Sequence, residues 1–213
     1  MITVLRRVAR RSLVPLLVVI LPGCTASVHN DASSSYLIID ALEAASGAKP
    51  DSFGGNLASD VLTLVKKDIG GTQVLVPTVY EDVAKVTLRL GMKDPGTGTT
   101  PTAPSPANSL TVTRYHVKFI RSDGRNTEGV DVPYAFDGAV TVTVGTGTSI
   151  AGMTLVRIQA KNEAPLKALV NGGGAYAIST IAQVTLYGTD QTGREVSVTG
   201  MISVNFADWG DPS

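Results

Sequence analysis

The chain has 213 residues, with 18 basic against 18 acidic side chains, one cysteine and two histidines. No Lys/Arg cluster interrupts its body, which argues against nucleic acid or anionic headgroups as partners, because both require concentrated positive charge. One cysteine cannot close an intramolecular disulfide, and with only two histidines beside it the ligands for a zinc site are too few.

In chain order, Arg6, Arg7, Arg10 and Arg11 precede the apolar run Leu13–Leu21, and no acidic residue occurs before Asp31. Nine apolar residues rise only about 13 Å as a helix, well short of a ~30 Å hydrocarbon core, so the run fits the hydrophobic part of a secretion signal better than a membrane span. Directly after it stand Leu21, Pro22, Gly23 and Cys24. This stretch resembles the lipobox of bacterial lipoproteins, with Leu21 in the apolar position, Gly23 in the small one and Cys24 as lipid acceptor. The resemblance covers residues 1–24. It implies cleavage before Cys24, a diacylglyceryl thioether on its sulfur and acylation of the new amino terminus. Two or more acyl chains give stable membrane residence where a single one binds only marginally. Thr25, where an aspartate would signal otherwise, resembles the sorting context for the outer membrane. Loss of residues 1–23 removes four of the eighteen basic residues and no acidic one, leaving 14 against 18 and a net charge near −4.

Residues 24–35 are small and polar, and read as a flexible tether that lifts the domain off the lipid; His29 lies within it. Residues 36–45 admit two readings. Leu37, Ile38, Ala41, Leu42 and Ala45 fall on one helical face behind a serine cap, yet the β character of the downstream chain favours a strand at 36–44. A turn-rich segment, 46–59, leads to a short strand at 60–65 that stops at Asp68-Ile69-Gly70-Gly71. Ala84, Val86, Leu88, Leu90 and Met92 then alternate with Lys85, Thr87 and Arg89, the two-residue period of a half-buried strand. Residues 94–109, rich in Pro, Gly and Thr, are expected to form a mobile loop outside any sheet.

From 110 the alternation returns. Tyr115, Val117 and Phe119 are expected to face inward, as are Val140, Val142 and Val144, then Val156, Ile158 and Ala160. Residues 163–169 read as one short helical turn, with Pro165 near its start and glycines beyond Asn171. Ile178, Ala182, Val184 and Leu186 form one further inward row, and Val196, Val198, Ile202, Val204 and Phe206 another. Asp190-Gln191-Thr192-Gly193 should join these two as a hairpin. Gly200, inside the last strand, marks a bulge or a close backbone approach.

About eight short strands with one-sided alternation predict an all-β, antiparallel two-sheet domain over 36–209, with a β-barrel as the alternative. In size and rhythm the stretch from Leu110 to Phe206 resembles an immunoglobulin-like or fibronectin-type-III-like sandwich. The Cys…Trp…Cys pattern of antibody domains is missing, since Trp209 follows the last strand.

Chemistry is sparse. Nucleophilic catalysis needs a histidine held beside the nucleophile, and outside the tether there is only His116, on the polar face of a strand. Gly172-Gly173-Gly174 lacks the lysine and hydroxyl that come next in a phosphate loop. Ser122–Asp131 is rich in oxygen ligands without the spacing of a calcium loop, and reads as a polar turn. Carboxylates at loop ends (Glu81, Asp82, Asp131, Asp137, Asp208, Asp211) could support a hydrolase only if the fold gathered them.

The expected role is therefore a non-enzymatic, lipid-anchored cell-envelope protein, structural or interacting with an envelope protein partner. No cofactor and no metal is expected. A ligand- or glycan-binding, adhesive module is the alternative. Tyr134, Phe136 and Trp209 are the candidate exposed aromatics for either reading, because such residues concentrate binding energy.

Overall fold

The structure, a computed structural model, describes residues 33–172 and 176–209. Cys24 with Leu21, Pro22 and Gly23, the tether up to residue 32, and Asp211 lie outside the described residues.

With 59 % of residues in strands and 7 % in helices, the protein is mostly β, built of several sheets that include a curled sheet of half-barrel form. Twelve strands are formed among the described residues. They are β1 (Ser35–Ala45), β2 (Asn56–Asp60), β3 (Thr63–Ile69), β4 (Thr72–Thr78), β5 (Asp82–Met92), β6 (Gly96–Thr97), β7 (Thr100–Pro101), β8 (Leu110–Ile120), β9 (Phe136–Val144), β10 (Ser149–Val156), β11 (Ile178–Asp190) and β12 (Glu195–Ala207). One short helix, α1 (Ile158–Asn162), and 3₁₀ turns at Pro106–Asn108 and Leu166–Leu169 complete the elements among the described residues. A three-stranded sheet has the order β1-β5-β10 and a five-stranded one the order β2-β12-β11-β8-β9. The inward rows of both sheets meet in one hydrophobic core, where Val86 and Leu88 of β5 join Val117, Val184, Val204 and Phe206.

β1 is a strand, and its ambiguity in sequence has a structural cause. Its pairing with β5 slips between Ile39 and Ala41, leaving Asp40 as the extra residue. The bulge moves the inward phase from Leu37 and Ile39 to Leu42 and Ala44, which breaks the period of two and imitates a helical face. Asp40 itself turns outward to Arg89, at 2.6 Å.

Four local expectations are corrected. The strand expected at 60–65 is two strands, because β2 ends at Asp60 and β3 begins at Thr63. β2 starts inside the segment read as turns, and pairs in parallel with the end of β12. At 156–160, β10 stops at Val156, which lies opposite Asp82, the first residue of β5. Beyond that point no strand remains to pair with, so residues 158–162 coil into α1 and Ile158 becomes exposed. Residues 94–109 do not stay outside all pairing: β6 and β7 form a two-residue ladder of their own, followed by the 3₁₀ turn. The helical turn expected at 163–169 occurs at Leu166–Leu169.

Elsewhere the alternation carries through. Tyr115, Val117 and Phe119 are buried, as are Ala182, Val184 and Leu186. The β11–β12 hairpin closes with Asp190 N–H donating to the Arg194 carbonyl at 2.9 Å and Gly193 at φ 80°, a value that favours glycine. Gly200 stays in register opposite Val184 with no bulge. It marks a close approach instead, since a β-carbon there would lie 2.9 Å from Ile39 Cδ1 of the facing sheet.

A second glycine is held by an aromatic ring. Tyr115 sits directly opposite Gly138 in the β8–β9 ladder, and a β-carbon on Gly138 would fall 2.2 Å from the tyrosine Cζ. The ring, 4 % exposed and packed edge-on against Phe136 at 6.2 Å, has nowhere to move. Gly138→Ala is therefore expected to cost about 1–3 kcal/mol, the range for overpacking a core. Urea unfolding checks this, and a loss below a few tenths would show the ring to be free to swing.

Candidate functional site

The two ends of the molecule differ. At the end where β1 begins, Ser35 lies opposite Met92 and its hydroxyl donates to the Asn108 carbonyl. The end of β2, the start of β5, α1 and Trp209 gather at the opposite end of β1, around a network of buried polar groups.

At its centre is Lys161 of α1, 2 % exposed although lysine is almost never buried unpaired. Its ammonium donates at 2.8 Å to Asp82 Oδ1 and at 2.8 Å to the Asp60 carbonyl. Asp82, fully buried, also accepts Gly47 N–H on Oδ1 at 2.9 Å and the Ser59 hydroxyl on Oδ2 at 2.6 Å. Three donors around one carboxylate, with the cation among them, are what make a buried charge tolerable. The network thus ties α1 to the ends of β2 and β5 and to the loop after β1. Gly47 is required there, because a β-carbon would lie 2.1 Å from the Glu81 carbonyl oxygen.

Beside this network Asp60 holds Trp209 in place. Its Oδ2 accepts the Thr63 hydroxyl at 2.6 Å and its Oδ1 accepts Trp209 N–H at 3.0 Å. The indole Nε1 donates to the Ser59 carbonyl at 3.2 Å. With both donors engaged by β2, Trp209 offers the neighbouring cleft an apolar ring. That cleft, about 310 Å³, is lined by Trp209 and Leu57 together with the polar Lys49, Ser52, Asn56 and Asp60. Its volume lies at the lower bound for small-ligand sites. A second, wider cavity of about 500 Å³ adjoins it, sharing Ala48 and Thr63 and bordered by Leu64, Val65 and Tyr80. The hairpin of β3 and β4 starts there, paired from Thr63 opposite Thr78 to Ile69 opposite Thr72 and belonging to neither larger sheet.

Of the three aromatics expected to be exposed, Tyr134 is exposed at 52 %, its ring against Gly129. Trp209 is half-buried at the cleft. Phe136 is not exposed: at 7 % it is a core residue, covered by the Arg157 guanidinium at 4.3 Å and wedged against Tyr115. As the first residue of β9 it falls on the inward row with Val140, Val142 and Val144. The three do not form one patch. Trp209 follows β12 and Tyr134 precedes β9, three strand positions away in the sheet, or roughly 14 Å.

Among the described residues the loop-end carboxylates are not gathered either; Glu81 accepts the Thr154 hydroxyl at 3.2 Å. Asp82 is in the ion pair. Asp131 accepts Thr127 N–H, and Asp208 accepts Asn171 N–H. Asp137 lies between Arg114, at 2.6 Å, and His116, at 3.3 Å; the Arg114 hydrogen bond above all holds its carboxyl below the usual carboxylate range. In the oxygen-rich loop, Asp123 is clasped by Arg121 at 2.7 Å and Arg125 at 2.8 Å, and these hydrogen bonds, Arg121 first, hold it well below that range. Two guanidiniums on that carboxylate oppose a cation.

Sequence reasoning missed Lys161, Asp60 and Lys49. Nothing in Ile158-Gln159-Ala160-Lys161-Asn162 distinguishes a buried lysine from a solvated one, and Asp60 read as a strand boundary. Comparisons with protein-family models, with curated proteins and with solved structures find no match for this chain.

Proposed function

We propose that the chain is a lipid-anchored protein of the bacterial cell envelope, held in the outer membrane through Cys24. Its β domain is an immunoglobulin-like two-sheet sandwich that serves contact with an envelope protein partner rather than catalysis. The sandwich reading draws support from the two sheets that share one core, joined by a chain that passes from β9 in one to β10 in the other. One observation carries the functional reading. The chain enters the domain at Ser35, and the two cavities, the hairpin and the polar network lie at the other end of β1, eleven residues or roughly 36 Å away. A domain tethered at one end presents the opposite end to its surroundings.

The test combines fractionation with surface proteolysis of intact cells. Wild-type protein should partition with the outer membrane, and Cys24→Ala should leave it unprocessed or released. Recovery of an unmodified Cys24 thiol in the mature protein by mass spectrometry would overturn the anchor.

A second reading, binding of a glycan or other small ligand, is favoured by the cleft beside Trp209, where an apolar ring faces Lys49, Ser52 and Asn56. Quenching of the single tryptophan by added oligosaccharides separates this reading from the first.

A further inference from the structure

The β3–β4 hairpin is unlike the rest of the domain. Ile69 (56 %), Val74 (41 %) and Leu75 (51 %) are exposed on it, and the second edge of β4 pairs with no other strand among the described residues. A two-stranded hairpin is marginal in water, and an open apolar edge invites a further strand. We propose that this edge pairs with its counterpart on a second copy of the chain. The two β4 strands would run antiparallel about a two-fold axis, giving a four-stranded sheet in the order β3-β4-β4-β3.

Charge decides the occupant. β4, Thr-Gln-Val-Leu-Val-Pro-Thr, has no charged residue, whereas β3 holds Lys66, Lys67 and Asp68. Asp68 is turned into its own hairpin, accepting Gly71 N–H at 2.8 Å and the Gln73 amide at 3.3 Å. Lys66 and Lys67 have no ion-pair partner among the described residues. Pairing β3 with β3 would set these lysines about 5 Å apart across the ladder, where like charges destabilise. Pairing β4 with β4 separates the two β3 strands by three strand spacings, roughly 14 Å, beyond the ~8–10 Å screening length. An acidic peptide finds no cation on β4 to recognise. An isologous pair needs only one segment complementary to itself, and an uncharged β-rich strand meets that condition. Pro77, without an N–H, limits the ladder at its far end and leaves Thr72–Val76 as the pairing run.

The proposal uses the fold alone and is independent of the anchor. Sedimentation equilibrium of the full chain, in density-matched detergent under reducing conditions, tests it against the monomer mass of 22.1 kDa. A concentration-dependent dimer is expected. Val74→Lys and Leu75→Lys should each weaken association by about tenfold or more, while Met201→Lys, at an exposed position of β12, should not. Far-UV circular dichroism confirms that each variant is folded. In a Cys24→Ser background, Val74→Cys, which faces its own counterpart at the centre of the Thr72–Val76 run, should form an intermolecular disulfide on oxidation, and Lys67→Cys on β3 should not. A monomer up to about 100 µM, a dimer that both β4 variants leave intact, or equal crosslinking at the two cysteine positions would overturn the proposal.

Discussion

Lys161→Met is expected to destabilise the domain by about 3–5 kcal/mol, the loss usual when one partner of a buried ion pair is removed. In a domain of this size that lowers the melting midpoint by roughly 10 °C. Methionine reproduces most of the lysine stem, so the change isolates the ammonium. What it leaves is the Asp82 carboxylate, fully buried, with only Gly47 N–H and the Ser59 hydroxyl to stabilise its charge. The Asp60 carbonyl loses its donor as well. Asp82→Asn should cost a similar amount by stranding the cation. The double variant should recover part of the loss, since the amide oxygen still accepts Gly47 N–H while the amide NH2 donates to the Ser59 hydroxyl oxygen, and a coupling of more than about 1 kcal/mol is expected from groups in direct contact. Additive single effects in urea unfolding would mean that the two groups do not depend on each other.

Phe119→Ala should cost about as much, 3–5 kcal/mol, through cavity formation rather than charge. Phe119 is 1 % exposed and meets Phe206 edge-on, with centroids 5.4 Å apart. The rings come from β8 and β12, which flank β11, where Ala182 lies opposite Phe119, Ile178 opposite Phe206, and the inward residue between them, Thr180, is small. Small side chains on the middle strand leave room for two large ones on its neighbours, and truncating either opens a void the backbone cannot close. Phe119→Leu, which keeps most of the volume, should lose less than about 1.5 kcal/mol. A leucine variant as unstable as the alanine one would show that ring contact, not volume, is what matters. Either loss is a large share of the 5–15 kcal/mol that typically holds a domain together.

These two sites were not equally legible. The inward place of Phe119 follows from its alternation with Lys118 and His116, and strands β5, β8, β11 and β12 obey the same rule because each has one face on the core and one on solvent. Lys161 follows no such rule. Its burial depends on Asp60, Asp82 and Ser59 converging from strands about 80 to 100 residues earlier, which no local pattern encodes. The same limit explains the missed break at Val61 and Leu62 and the end of β10 at Val156, for a strand ends where its partner ends. β1 misled for a different reason, the bulge at Asp40. Phe136 read as part of an exposed loop because its strand begins one residue after a proline-containing segment, at the position where the inward row starts. Trp209 could be singled out as the only tryptophan, but its lodging against β2 depends on pairing between distant parts of the chain.

That pairing has a bearing on how the molecule comes to exist. β2 is held along Ser203–Ala207 of the last strand, partners nearly 150 residues apart in sequence. Until ribosomal synthesis reaches those residues, β2 has no neighbour in the five-stranded sheet, and Asp60 cannot receive Trp209. A chain whose early and late segments complete each other forms its native contacts late, and folds on the millisecond-to-second scale of non-local β topologies. The five-stranded sheet therefore closes at its β2 edge only after the last strand has been made.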